Sequence, residues 1–353
     1  GIIASKRTVA VAGTSGKSTV TAMIFEFLDA CGRSPSLISG APLIRLETNG
    51  LIGNAFSGGS DLLVVEADES DGTLAKYSPD MSVILNVSKD HKTIEEITAL
   101  FAGLIARSSW TATNNDDPVL AALPATVRFG RDGTAAWHPD TEEFRPMSVG
   151  LARRGTEYRL PVPGEHNLEN LKAALCVCEH LVCNGSTLAR AVENFAGVAR
   201  RFTITQTRRA VTVIDDFAHN PAKIAAAVTT AHGIADRVIA VYQPHGFGPT
   251  RFRKDEYTGS FQKIFRPDDA LYLLPIYYAG GTAQKDISSQ DIIDSLGNVP
   301  FHAEAVKDRD ELIEKIGSSA RPGDAVIVMG ARDPSLPALV KGIIDMFGGK
   351  EPF

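Results

Sequence analysis

Between Thr8 and Thr19 the chain reads Thr-Val-Ala-Val-Ala-Gly-Thr-Ser-Gly-Lys-Ser-Thr. Val9 to Val11 has the character of a buried strand, Gly13 to Gly16 that of a tight turn, and Lys17 onward that of a helix start. A glycine turn between a strand and a helix N-terminus leaves several backbone N–H groups pointing one way. Together with the positive end of the helix dipole they form an anion site sized for phosphate. Gly13, Thr14, Ser15, Gly16, Lys17, Ser18 and Thr19 are therefore the candidate phosphate-binding residues. Lys17 adds a mobile positive charge, and the Ser18 hydroxyl can bind Mg2+. Val11 stands where the general P-loop pattern has its first glycine, so this is a shorter form of it. The competing reading is a glycine-rich turn with an incidental lysine. The order of strand, turn, lysine and hydroxyl pair favours phosphate.

Further along, five more clusters combine chemistry-bearing residues with strand ends or helix starts. Glu66-Ala67-Asp68-Glu69-Ser70-Asp71 gathers four carboxylates, whose repulsion a cation would offset. Beside a P-loop that cation is Mg2+ on hard oxygen ligands, with Glu66 at the strand end the best candidate. A solvated acidic loop is the alternative. Asn86-Val87-Ser88-Lys89-Asp90-His91 follows another strand, and His91 is a candidate ligand for a second metal, although a lone loop histidine is more often structural. In Gly164-Glu165-His166-Asn167-Leu168-Glu169-Asn170, Asn167 and Asn170 share a helix face. Their amides suit either a nucleobase edge or a helix cap. Asp215-Asp216-Phe217-Ala218-His219-Asn220-Pro221 lies between a strand and a helix, with Pro221 suited to the first helical turn. Tyr242-Gln243-Pro244-His245, continuing to Arg251, again follows a strand. Exposed turn chemistry is the alternative for both.

The elements that must position these residues follow from apolar periodicity. A helix is expected from Lys17 to Ala30, closing at Cys31-Gly32, and a short strand from Leu37 to Ser39. Asn49-Gly50 reads as a hairpin-type turn. Asp61 to Ala67 and Ser82 to Val87 read as central parallel strands whose C-terminal tips enter a site. Thr93 to Ala106 is helical, with Ile94, Ile97, Leu100, Phe101, Leu104 and Ile105 on one side. Short strand-like pieces fill Trp110 to Arg159. Helices follow at His166 to Cys183 and Leu188 to Phe195. From Arg200-Arg201-Phe202 a second series begins. Strands are expected at 210–215, 237–242, 270–274 and 324–329, with helices at 221–231, 255–265, 288–296, 308–317 and 335–346. Such alternation implies a doubly wound parallel sheet. The fold class is thus α/β, a P-loop ATPase domain with a parallel sheet (1–199) followed by a Rossmann-like doubly wound domain (200–353).

The 353 residues suffice for two cores. A hydrophobic content of 44% and a charged content of 22% are ordinary for a soluble globular protein. The net charge of −6 argues against nucleic acid or an anionic membrane as partner, so a phosphate ligand is held by local geometry. Cys31, Cys176, Cys178 and Cys183 show neither metal spacing nor a disulfide framework and read as reduced thiols in a cytoplasmic protein. No apolar run approaches a membrane span, and no signal-peptide core opens the chain.

Taken in order, GTSGKST, EADESDGT, NVSKDH, GEHNLENLKAAL, RRF, DDFAHNP and YQPH resemble the Mur ligase family of ATP-dependent, ADP-forming amide ligases. The likeness covers essentially the whole chain. It is nearest to the branch that joins L-alanine to UDP-N-acetylmuramate or attaches a whole peptide. The 93–107 helix lacks the lysine that several other branches carry, in agreement with that assignment. Family members carry an N-terminal UDP-binding domain. This chain reaches its nucleotide loop almost at once and is expected to lack that domain. The resemblance implies a carboxylate–amine ligase of peptidoglycan precursor synthesis or recycling, working through an acyl phosphate. Its substrates would be a muramate-like acid and an amino acid or peptide, with ATP and Mg2+. By the same resemblance, Lys17, His91 and Arg201 are catalytic. Ser18, Glu66 and His91 hold metal. His166, Asn167 and Asn170 contact the nucleotide base region, Arg201 the γ-phosphate and Asp216 the ribose. His219, His245 and Arg251 serve the amine substrate. In the loop after His245, Gly246 and Pro249 stand where that branch has arginines. The alternatives are a P-loop kinase or NTPase without ligation, and a non-catalytic ATP-binding relative.

Overall fold

The computed structural model describes residues 5–69, 73–88, 92–278 and 280–350. The chain divides into two compact units, Gly1–Ala199 and Arg200–Phe353.

In the first unit β1 (Arg7–Ala12) leads into α1 (Lys17–Ala30). Then come β2 (Ser36–Ile38), α2 (Ile44–Thr48), β3 (Ala55–Phe56), β4 (Leu62–Glu66), β5 (Met81–Ile84), α3 (Ile94–Ala106), β6 (Trp110–Asn114), α4 (Pro118–Ala121) and β7 (Val127–Phe129). These strands form one sheet of order β3-β2-β4-β1-β5-β6-β7, parallel except for β3. Side chains alternate across it, as strand geometry requires. Val9, Val11, Val64 and Val83 face a core shared with α1, while Ala10, Ala12, Leu63, Val65 and Ile84 face Ile97, Phe101 and Leu104 of α3. Both faces are thus covered, and the strands read as continuous apolar runs. An antiparallel sheet of β8 (Thr141–Arg145), β9 (Ser148–Arg153) and β10 (Thr156–Leu160) packs Val149, Leu151, Tyr158 and Leu160 into the α1 core. It is joined there by α5 (Glu165–His180) and α6 (Gly185–Glu193).

In the second unit the order along the chain is β11 (Thr203–Gln206), β12 (Thr212–Asp216), α7 (Pro221–His232), β13 (Val238–Tyr242), α8 (Phe247–Phe252), α9 (Lys254–Ile264) and β14 (Ala270–Leu273). It continues with α10 (Ser289–Leu296), β15 (His302–Ala305), α11 (Arg309–Ser319), β16 (Ala325–Met329) and α12 (Leu336–Met346). The sheet order is β11-β12-β16-β13-β14-β15, with only β11 antiparallel. Ile214, Ala240, Tyr242 and Ile327 face α7, α9 and α10, whereas Val213, Val241 and Val328 face α11 and α12. Among the described residues no helix is long and apolar enough to cross a membrane.

Several expectations shift for local reasons. The strand anticipated over 82–87 ends at Ile84, because Leu85 donates to the Ala12 carbonyl and the following residues turn toward the glycine loop. Asn49-Gly50 closes the short helix α2 instead of a hairpin. Helix α5 stops at His180: Val182 takes φ +59° and the Cys183 N–H returns to the Cys178 carbonyl, leaving Cys183 outside the helix. Two edge strands, β11 and β15, were not anticipated. Their sequences TITQ and HAEA are only partly buried and lack an apolar run.

Within α1, Glu26 is buried. Its Oε2 accepts from the Ala196 N–H at 3.5 Å, and its Oε1 lies 3.9 Å from Arg45 Nε. Burial pushes the carboxyl up to about 7 against the pull of Arg45. A folded-state value above the unfolded one means stability fully present below about pH 4.5 and lost as pH rises through about 7. Wild type is therefore expected to lose about 2.5 kcal/mol relative to Glu26→Gln between pH 5 and pH 8. Urea unfolding followed by tryptophan fluorescence measures this in the first unit alone, because both tryptophans, Trp110 and Trp137, lie there. Parallel pH curves for the two proteins would contradict the assignment.

Candidate active site

The glycine loop sits at the carboxyl edge of β1, the strand from which the sheet grows in both directions, toward β4 and toward β5. Such a switch point opens a crevice between adjacent strand ends. Three loops meet there. The first, from Gly13 to Gly16, delivers the chain into α1. Gly16 is the N-cap with φ +86°, no side chain caps the helix, and its first turn carries no acidic residue. Gly16 therefore offers no side chain to cap the first N–H groups of α1, and the turn itself places no carboxylate beside them. A side chain at Gly16 would overlap the amide oxygen of Asn170, and one at Gly13 would come within 3.0 Å of Leu85 Cβ. Both positions combine positive φ with close approach, which glycine alone accommodates without strain.

Lys17 folds back over the loop. Its Nζ donates to the Gly13 carbonyl at 2.9 Å and to Glu69 Oε2 at 2.8 Å, with Asp68 at 3.9 Å. The ammonium is thus held at the loop by a carboxylate from the second loop, which follows β4. Glu69 is itself buried, and its carbonyl accepts from Lys92 Nζ. Glu66, at the end of β4, accepts the Gly40 N–H at 2.8 Å through Oε2. The Ser18 hydroxyl group lies in a residue only 3% exposed, in the first turn of α1. The Ser18 hydroxyl and the Glu66 carboxylate are hard oxygen donors, whose chemistry fits Mg2+ better than a softer metal. Among the described residues no three His, Cys, Asp or Glu side chains are gathered closely enough to hold a metal by themselves. His91 lies outside the described residues, as do Ser70 and Asp71.

The third loop, after β5, supplies a contact the sequence reading did not include. Asn86 Oδ1 accepts from the Thr14 hydroxyl at 2.8 Å and from the Ser15 N–H at 2.9 Å, and its amide donates to the Ser15 carbonyl at 3.1 Å. Ser88 adds a hydroxyl contact to Thr14 at 2.8 Å. The side chain of Asn86 thereby fixes the crown of the glycine loop. The signal was present, an asparagine directly after a buried strand, but its partner lies on another strand.

At the start of α5, Asn167 and Asn170 are both buried. Asn167 donates to the Pro163 carbonyl at 2.7 Å and accepts from Asn170 at 3.3 Å. The pair locks the helix start against Gly16, so the amides are engaged within the protein, while His166 beside them is exposed.

In the second unit, the loops after β12, β13 and β16 stand side by side at the carboxyl edge, since β16 lies between the other two strands. The Arg200-Arg201-Phe202 segment is strained, with φ of +59° at Arg200 and +53° at Phe202. It is held by Asp216, whose oxygens accept the N–H groups of Phe202 (2.8 Å) and Ala218 (2.7 Å). Asp215 accepts from Arg200 at 3.2 Å. Burial pushes the Asp216 carboxyl up to about 6, with Arg201 pulling it down. The Arg201 guanidinium stacks over the Phe217 ring at 4.7 Å. His219 donates through Nδ1 to the Phe217 carbonyl (2.9 Å) and meets His245 edge to face at 5.8 Å. The structure thus brings Arg201, Asp216, His219 and His245 together, and strain of this kind persists where surrounding contacts over-determine it. Arg251 instead pairs with Asp286 and the Gln284 carbonyl. The loop from Gly330 to Asp333 was not anticipated. The Gly330 carbonyl accepts from Arg200, and Asp333 pairs with Arg309 at 2.8 Å.

The model of the Mur ligase middle domain matches residues 11–178, and that of the Mur ligase glutamate ligase domain residues 200–332. The UDP-N-acetylmuramate–L-alanine ligase of Sorangium cellulosum is 32% identical over 98% of this chain and 76% of its own length. That of Thermobifida fusca is 33% identical over 92% of this chain and 72% of its own length. Among solved structures, the UDP-N-acetylmuramate–alanine ligase MurC of Thermotoga maritima superposes with a TM-score of 0.79 at 25% identity, covering 97% of this chain and 76% of that one. The MurF ligase of the same organism, solved with ADP, shares the fold with a TM-score of 0.69 at 19% identity, covering 97% and 79%.

Asn86→Ala removes three hydrogen bonds from the glycine loop, each worth about 1 kcal/mol. Its affinity for ADP, measured by calorimetry, is expected to fall about 10- to 100-fold while the tryptophan-monitored unfolding transition persists. Wild-type affinity in the variant would show that the loop needs no brace.

Proposed function

The chain belongs to the Mur ligase family, and on that premise we propose that it is an ATP-dependent, ADP-forming ligase joining a muramate-like carboxylate to an amino acid or peptide amine. The observation that carries the proposal is the uncapped N-terminus of α1, with Lys17 held over it by Glu69 and with acidic and amide-bearing loops on either side. A family relationship to UDP-N-acetylmuramate–L-alanine ligases supports UDP-N-acetylmuramate and L-alanine as the first substrates to try.

In this reading the β- and γ-phosphates of ATP settle on the N–H groups at the start of α1. Lys17 exchanges the Glu69 carboxylate for phosphate oxygens, and its contact with the Gly13 carbonyl keeps the ammonium at the loop. The acid's carboxylate oxygen attacks the γ-phosphorus, ADP departs, and an acyl phosphate results. The amine then adds to the carbonyl carbon, and the tetrahedral species expels inorganic phosphate, leaving the amide. Such transfer depends mainly on alignment and on neutralising charge at the migrating group. Mg2+, held by Ser18 and Glu66, would supply further neutralisation of the phosphates. We assign Arg201 to the γ-phosphate, Asp216 to holding the arginine segment, and His219 and His245 to the amine. Their clustering at one edge of the second sheet supports this division of labour. Arg251, engaged by Asp286, is assigned to the amine substrate's carboxylate only after release of that pair. The soluble small-molecule substrates fit a cytoplasmic enzyme.

The test is phosphate release from ATP and Mg2+ with UDP-N-acetylmuramate, with and without L-alanine, glycine, L-serine or a short peptide. Release requiring both acid and amine is expected, and Lys17→Ala should lower it by at least about 1,000-fold with its circular dichroism unchanged. Turnover of ATP that ignores both co-substrates would instead identify an NTPase.

A further inference from the structure

β13 ends at Tyr242, three residues before His245, and α9 brings Tyr257 against it. The two rings are buried with centroids 5.4 Å apart, and Phe261 packs beside both. A buried phenol needs a partner for its hydroxyl. Here both hydroxyls converge on one backbone atom, the carbonyl oxygen of His219. Tyr257 Oη donates to it at 2.9 Å, Tyr242 Oη lies 3.2 Å from it, and the two hydroxyl oxygens are 2.9 Å apart. Each hydroxyl has a single proton. The two shorter contacts therefore form a relay, in which Tyr242 donates to Tyr257 and Tyr257 donates to the His219 carbonyl. The ring of His219 is gripped as well, through the bond from Nδ1 to the Phe217 carbonyl at 2.9 Å. Phe217 is tied in turn by its N–H, which donates to the Arg200 carbonyl at 2.8 Å. The hydroxyl grip on the peptide thus comes from the strand that leads into His245, and the ring grip from the loop after β12.

We propose that Tyr242 and Tyr257 are positioning residues that set the His219 ring against the His245 ring, and through that spacing the fit of the amine substrate. The proposal rests on the assignment of these two histidines to the amine. Tyr242 is fixed by the sheet, opposite Leu273 of β14 on one side and Met329 of β16 on the other. A hydroxyl anchored there ties the loop after β12 to the loop after β13 at one point, the peptide of His219. The two imidazoles, one from each loop, stand edge to face at 5.8 Å. Loss of the hydroxyls cuts this tie while leaving the packed rings in place. Orientation of the groups that receive a nucleophile governs its reaction, so a loosened His219 weakens capture of the amine.

The experiment compares wild type with Tyr257→Phe and with the double variant Tyr242→Phe/Tyr257→Phe, which keep both rings and remove hydroxyls. In protein labelled with nitrogen-15 at histidine, the His219 ring signals are identified by their loss in His219→Ala. They are expected to move in both tyrosine variants, while those of His138 and His180 in the first unit stay in place. In steady-state ligation the KM for L-alanine is expected to rise about 5-fold in Tyr257→Phe and about 30-fold in the double variant, with the KM for ATP changed by less than about twofold. In a His219→Ala background the same tyrosine substitutions should leave the L-alanine KM where His219→Ala alone puts it. His219 signals unmoved in the double variant, or an equal rise in KM when His219 is absent, would overturn the proposal. Wild-type L-alanine kinetics in His219→Ala would instead overturn the amine assignment beneath it, and the ring signals would then decide the tie itself.

Discussion

The open N-terminus of α1 is the constraint on which the rest of the first unit depends. A helix start normally satisfies its first N–H groups with a side chain. Here Gly16 offers none, and its left-handed conformation and contact with Asn170 leave no room for one. The surrounding residues instead brace the loop that leads into the helix. Asn86 pins the loop crown, and Glu69 holds the Lys17 ammonium in reserve. A charge that is placed, paired and nearly buried is the preorganisation that phosphoryl transfer rewards.

The second unit applies a similar device without a glycine loop. Its sheet leaves β16 between β12 and β13, so three loops converge at one edge. Two adjacent aspartates divide the work of holding a strained arginine segment: Asp215 takes the Arg200 side chain and Asp216 takes backbone N–H groups. Arg201 is thereby presented over Phe217 with its backbone already committed. The cost of two non-glycine residues at positive φ, of order 1–3 kcal/mol each, is offset by these bonds.

Much of this was legible in the sequence because it depends on local pattern. Helix α1 runs from Lys17 to Ala30 as its apolar periodicity and the Cys31-Gly32 turn predict, and the central strands betray themselves as unbroken apolar runs. What escaped are features whose partners lie far away along the chain. Asn86 looks like any loop asparagine until β5 is laid beside β1. The approach of Asn170 to Gly16 likewise shows only once α5 is laid beside α1. The edge strands β11 and β15 carry too little buried apolar surface to announce themselves.

The central claim is that the α1 loop transfers the γ-phosphoryl group of ATP to a carboxylate before any amine takes part. Positional isotope exchange tests it most directly, using ATP labelled with oxygen-18 in the β–γ bridge. With UDP-N-acetylmuramate present and no amine, the account predicts that the label scrambles into the non-bridging β positions, because an acyl phosphate and ADP form reversibly. A label that stays in the bridge with the acid present, while ligated product appears once L-alanine is added, would contradict it.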